Sequence, residues 1–361
     1  MHFAQFQSRL LPTLDWVDLL PVLLIAVALW GIRRIPKGMF SDDPLNKGQG
    51  LALRGIFACV VMLHHLAQKF PVLGCIFPRF GYWGPLSVSV FFGLSGYGLM
   101  RQVAARPDWR KGFWPRRSKA VWMPYAMVAL FTLLQWWRGD FSIRMLLKAH
   151  WGIVRYGWFC PILFMFYAIF RWADRESHGK TESLLPLAFG GALTVTLAWG
   201  LLDAPRHTVL GNGAFLAGLS LGSDGTTVKA ILSKSRTWII GLTVMIATLH
   251  STFGLYWRFI APGTKTLFVF LMNSFFVVGI AALSMNWQMG NRVLAWLGAI
   301  SYELYLSHGW VMVEIRHRWP EFTGTGYVYA VVAGSLAMAS ALHGGIAAIR
   351  RYTTPARNVD D

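Results

Sequence analysis

Eleven apolar stretches follow one another along this chain, joined by short polar connections. A helix needs about 20 residues to cross the hydrocarbon of a bilayer. The stretches are 16–32, 51–68, 83–100, 120–137, 158–173, 184–202, 208–222, 237–254, 266–285, 293–313 and 327–349. Of the 361 residues 55% are hydrophobic and only 14% charged, against about 25% charged in a soluble domain. So few polar side chains do not cover a soluble globule, and 18 Trp suit the membrane–water interface. The expectation is an all-α, polytopic integral membrane helix bundle with about 11 transmembrane helices.

A formal net charge of +18 raises the question of nucleic acid. The cations, however, stand in short runs between apolar stretches, as the positive-inside rule places them. Most of the 34 Lys and Arg fall in alternate connections, among them Arg33, Arg34, Lys37, Lys47, Arg101, Arg106, Arg110, Arg171, Arg175, Lys234, Arg236, Arg350 and Arg351. Those connections are assigned to the cytoplasm, which puts the N-terminus outside and the C-terminus inside. The 138–157 connection, with Arg138, Arg144, Lys148 and Arg155, is unusually basic for an outer loop. Asp15 and Asp18 precede the first stretch, and no clean small-x-small site follows it, unlike a signal peptide. Cys59, Cys75 and Cys160 are odd in number and form no CxxC, so neither a disulfide framework nor a metal site is expected. Without a long polar linker or low-complexity tract, one membrane domain is expected.

Ionisable groups inside a bilayer cost several kcal/mol and are candidates for function. Arg54 and His65 are eleven residues apart in one predicted helix. At 100° per residue they fall about 20° from the same direction, with a rise of about 16 Å. Arg54 is then at the cytoplasmic mouth and His65 deep on the same face. A cation in a first helical turn opposes the helix dipole and suggests an anion nearby. The ordinary alternatives are a snorkelling arginine and a packing histidine. His64 points about 100° away and reads as structural.

The segment Lys111-Gly-Phe-Trp-Pro-Arg-Arg-Ser-Lys119 reads either as a topogenic loop or as a docking surface for a polyphosphorylated cofactor, since Arg forks match phosphate geometry. Gly93-Leu-Ser-Gly-Tyr97 is no nucleophile elbow, because its fifth position is Tyr and no strand precedes it. Its small residues suit close helix approach. In Ile300-Ser-Tyr-Glu-Leu-Tyr-Leu-Ser-His308, Ser301, Tyr305 and His308 share a helical stripe. Glu303 lies about 140° from His308 and is placed to anchor an Arg or His elsewhere, or to serve as a buried strut.

Four segments together resemble the membrane acyltransferase family 3. Leu53-Arg-Gly-Ile-Phe-Ala followed by His65 matches its Arg-ten residues-His motif, and Phe91-Phe-Gly-Leu-Ser-Gly-Tyr97 its Phe-Phe-x-Leu-Ser-Gly-aromatic helix. Trp158-Phe-Cys-Pro-Ile-Leu-Phe-Met-Phe-Tyr167 and Ile300–His308 resemble its Trp-Phe-Leu-Pro and late Ile-Ser-Tyr segments. They come in the family's order over about residues 51–349. Residues 1–50 are then an extra N-terminal helix and cytoplasmic loop ahead of a ten-helix core, 51–361. A further family Arg is replaced by Val121, three residues before Pro124, while Arg117 and Lys119 occupy the neighbouring cationic places.

The resemblance implies a membrane-bound, acyl-CoA-dependent O-acyltransferase of the bacterial inner membrane. It would move an acyl group, acetyl first, from cytoplasmic acetyl-CoA to a hydroxyl of an extracytoplasmic or membrane-linked glycan. Expected partners are the acyl-CoA, a glycan or lipid-linked sugar, membrane lipids and polysaccharide biosynthesis machinery, with no nucleic acid. His65 is expected as general base, with a transient acyl carrier as the second reading, Arg54 with Arg116, Arg117 and Lys119 on the CoA phosphates, and Glu303 orienting a histidine or arginine. Trp158, Tyr302 and His308 line the acceptor side or donate to the oxyanion. No metal is expected. A transporter of a glycan or lipid intermediate, using the same ionisable groups as a proton relay, and a non-catalytic partner of a glycan synthase are the competing readings.

Overall fold

The computed structural model describes residues 13–36, 39–41, 43–138, 153–178, 180–201, 211–223, 226–252 and 262–353. Arg144 and Lys148 of the basic outer connection, and Lys37 and Arg357, lie outside the described residues. The described chain is helical nearly throughout. Its α-helices are α1 Leu19–Leu29, α2 Lys47–Lys69, α3 Gly84–Ala105, α4 Phe113–Arg138, α5 Phe159–Glu176, α6 Thr181–Leu201, α7 Asn212–Gly222, α8 Thr226–Thr252, α9 Pro262–Ser284, α10 Arg292–Ala299, α11 Ser301–Arg318 and α12 Gly324–Thr353.

Each apolar stretch carries helix, but that does not make eleven crossings. Among the described residues four helices are long and apolar enough to cross a membrane: Lys47–Lys69, Phe113–Trp137, Leu267–Ser284 and Gly324–Arg351. α1 and α7, eleven residues each, rise only about 16 Å, roughly half the hydrocarbon thickness. The stretch 293–313, expected as one helix, is two. Ile300, at φ −91° and ψ 2°, interrupts it between α10 and α11. α4 begins at Phe113, seven residues before the expected start, so the basic segment is largely helix.

The chain divides into two compact units, Met1–Lys111 with Pro161–Gly298, and Gly112–Cys160 with Ala299–Asp361. In the first, α7 packs along α3 and against α9. Glycines make that approach possible: side chains on Gly96 and Gly218 would run into the backbone of Phe215 and Gly93, respectively. The Gly93–Gly96 segment thus serves helix packing. Phe92, Phe166 and Phe215 fill the space beside it, with Phe166 stacked on Phe215 at 4.8 Å. Gly55 does the same for α2, where a Cβ would lie 2.8 Å from Leu297 of α10.

The segment after α1 forms a two-residue strand, β1 (Arg33–Arg34), antiparallel to β2 (Trp287–Gln288). Gln49 fastens the start of α2 to this region, donating to Ser284 Oγ and accepting from the Met289 amide. In the second unit α11 packs between α4 and α12. Tyr327 donates to the Met312 carbonyl, Trp310 to that of Phe131, and Gln135 to Glu314. These bonds tie α12 and α4 to α11.

Candidate functional site

α2 carries Arg54 and His65. Asn46 caps it by accepting from the Gly48 and Gln49 amides. The helix therefore begins two turns before Arg54, which does not lie in a first turn. The helix dipole at Arg54 therefore calls for no anion beside it. His65 lies one turn from the far end of α2. Arg54 is exposed and His65 half-buried, with its Nδ1 inside the protein.

His64 differs from His65 in its surroundings. It is buried and its Nδ1 donates to the Phe80 carbonyl at 3.2 Å. Phe80 belongs to a 3-10 helix, Phe77–Tyr82, in the α2–α3 connection. The imidazole is wedged against the first residue of α3: a side chain on Gly84 would collide with it. The two histidine rings lie 4.8 Å apart, so whatever fixes His64 also bounds the position of His65.

A charged cluster that the sequence did not announce stands in the same unit. Arg110 makes a two-pronged contact to buried Asp174 of α5, with Nε at 2.9 Å from Oδ2 and an Nη at 2.7 Å from Oδ1. Arg171 also pairs with Asp174. Both guanidiniums lie 5.3 Å from the buried Trp109 ring. The Asp174 hydrogen bonds hold the Arg110 guanidinium above its ordinary pKa. Two cations on one carboxylate leave a net positive charge. Sixty-four residues separate Arg110 from its carboxylate, which is why no local motif reveals the pair.

The second unit holds the other expected residues. α4 opens after Gly112, whose φ of +62° suits glycine. Arg116, Arg117 and Lys119 lie in its first two turns. Arg116 and Lys119 are exposed, and Arg117 lies over the Phe113 ring at 5.6 Å. Three cations thus crowd a helix N-terminus, where the dipole already favours an anion.

The segments Trp158–Cys160 and Tyr302–His308 meet. Tyr302 donates to the Val121 carbonyl of α4 at 2.8 Å, and the Cys160 thiol, 3.0 Å from the Tyr302 oxygen, is left to donate to it. Tyr305 donates to the Tyr156 carbonyl at 2.5 Å. Buried His308 stacks on Tyr156, with ring centroids 5.5 Å apart and planes within 8°. Gly309 leaves room for that approach, since a Cβ there would lie 2.9 Å from the Tyr156 ring. Trp158 stands half-buried at the turn into α5. Glu303 turns the other way and takes a hydrogen bond of 3.1 Å from His343 Nδ1 on α12. His343 was not among the expected site residues. Its partner is forty positions away.

The long apolar helices mark an integral membrane protein. The family model of acyltransferase family 3, an acyltransferase domain, matches residues 52–344. The chain belongs to this family of membrane acyltransferases. No curated protein and no solved structure matches it. Among the described residues no group of three or more His, Cys, Asp or Glu is placed to hold a metal ion.

Proposed function

We propose that the protein transfers an acyl group, acetyl first, from cytoplasmic acyl-CoA to a hydroxyl of an extracytoplasmic or membrane-linked glycan. The observation that carries this reading is the contrast on α2 between buried His64, bonded to Phe80, and half-buried His65, in a chain of an acyltransferase family. A neutral imidazole has the free nitrogen lone pair that removal of the hydroxyl proton needs. The acceptor oxygen then adds to the thioester carbonyl. When the tetrahedral adduct collapses, the C–S bond breaks, and the imidazolium returns its proton to the departing thiolate. The products are an ester and CoA thiol.

The CoA phosphates suit the start of α4, where Arg116, Arg117 and Lys119 surround a helix N-terminus. Arg54, about 16 Å along the helix from His65, is assigned to the CoA phosphates by the family resemblance alone. Trp158, Tyr302 and His308 belong to the acceptor side in this reading. Glu303 orients His343 through the 3.1 Å hydrogen bond. The Lys and Arg bias of alternate connections supports an N-terminus outside and a C-terminus in the cytoplasm of a bacterial inner membrane.

The test is acetyl transfer in proteoliposomes given labelled acetyl-CoA and a membrane-glycan extract. His65→Ala is expected to lower turnover by at least a hundredfold while eluting from gel filtration as the wild type does. Retained turnover in a folded His65→Ala protein would overturn the base assignment.

A further inference from the structure

The first described helix lies ahead of the residues that the family model matches, yet it reaches the histidine pair through one side chain. Asp18 ends a 3-10 turn, Trp16–Asp18, just before α1, and is buried. Its Oδ1 accepts from the Ile76 and Phe77 amides at 2.9 and 2.8 Å. Its Oδ2 accepts from the Cys75 amide at 2.9 Å and from the Asp15 amide at 3.1 Å. Three of these donors are consecutive and open the 3-10 helix Phe77–Tyr82. An ionised carboxylate satisfies them far better than a neutral group, because charge-assisted bonds are roughly twice as strong. The connection is shaped to receive it. Gly74 has a φ of +76°, and a Cβ there would lie 2.5 Å from Asp18 Oδ1.

The same 3-10 helix ends on the histidines. The Phe80 carbonyl accepts from His64 Nδ1, and Gly81 O from the Gln68 side chain at 3.4 Å. The bond to Phe80 keeps the His64 proton on Nδ1, and Gly84 closes the other side of the ring. His65 packs on His64 at 4.8 Å. A continuous chain of contacts therefore runs from Asp18 through residues 75–80 to His64 and His65.

We infer that Asp18 is a positioning residue for the reaction: its carboxylate clasps the α2–α3 connection, and through Phe80 and His64 fixes the ring of His65. This rests on His65 being the base. The clasp is a way for the N-terminal helix, outside the family-matched segment, to bear on turnover without touching substrate.

The experiment compares wild type, Asp18→Asn, Gly74→Ala, His64→Ala and the Asp18→Asn/His64→Ala pair in full-length protein. Steady-state acetyl transfer is read alongside carbethoxylation of His64 by diethyl pyrocarbonate, followed by mass spectrometry. Asp18→Asn is expected to lower kcat at least tenfold and leave KM for acetyl-CoA within twofold. In the His64→Ala background it should cost less than a further twofold, because residues acting through one another are not additive. Carbethoxylation of His64 should rise at least fivefold in both Asp18→Asn and Gly74→Ala, which cut the clasp from opposite sides. Equal losses of kcat in both backgrounds, or an unchanged His64 rate in folded Asp18→Asn or Gly74→Ala, would overturn the clasp. An active His65→Ala protein would instead overturn the base assignment, and the labelling result would still decide whether Asp18 holds His64.

Discussion

At the level of single residues, burial sorts groups that the sequence leaves alike. His64 and His65 are neighbours of one type; His64 is buried and bonded to the Phe80 carbonyl, and His65 is half-buried. The three cysteines are sorted the same way. Cys59 and Cys160 are buried, and Cys75 is partly exposed in the α2–α3 connection. Burial first, and then the Asp18 carboxylate beside it, push the Cys75 thiol above its ordinary pKa. The thiolate is the reactive form, so Cys75 is expected to alkylate with iodoacetamide more slowly at pH 7.5 than an unperturbed thiol. Its rate should rise severalfold in Asp18→Asn. A Cys75 rate equal to that of a free peptide thiol would contradict this.

Among elements, the closest packing is glycine-mediated. Gly218 of α7 faces the Gly93 carbonyl with no room for a methyl group, whereas Gly98, on the same α3, has nothing within 4 Å of where a Cβ would stand. Overpacking a close contact costs about 1–3 kcal/mol. Removing helical glycine where space exists gains about 0.5–1 kcal/mol. Gly218→Leu is therefore expected to lower the melting temperature in detergent, and Gly98→Ala to hold or raise it. Equal shifts in a thermal-unfolding assay would mean that α3 and α7 do not meet as described. The opening of α4 supports a second expectation at this level. Arg116→Ala with Arg117→Ala should raise KM for acetyl-CoA at least tenfold and leave kcat within threefold, because the proposed contacts hold the donor's phosphates and not its reacting carbonyl. A fall in kcat at unchanged KM would move those cations away from donor binding.

For the whole molecule, the apolar stretches made the helices legible, and the motif order made the family legible. The boundaries that failed have identifiable causes. Arg116, Arg117 and Lys119 look like loop residues by charge, but they form the first turns of α4. Gly298, two residues before the break at Ile300, is the one local mark of it, and in an apolar stretch it reads equally well as a close-packing glycine. The placement of Arg54 failed because Lys47–Gly50, polar and glycine-rich, read as loop while Asn46 caps a helix there. Long-range pairs were invisible for a simpler reason. Asp18 meets amides fifty-seven to fifty-nine positions away, Glu303 meets His343, and Arg110 meets Asp174, and nothing in a single sequence couples such positions. Two compact units, each built from separated stretches of chain, follow no boundary that composition marks.

The most direct measurement is titration of purified protein with acetyl-CoA by calorimetry, for wild type, Arg54→Ala and His65→Ala. Saturable binding to wild type, weakened at least tenfold in Arg54→Ala and retained in His65→Ala, is the expected result. It would place the donor with Arg54 and leave His65 for the chemistry. No saturable binding of acetyl-CoA, succinyl-CoA or longer acyl-CoAs to folded wild-type protein would contradict an acyl-CoA-dependent transferase.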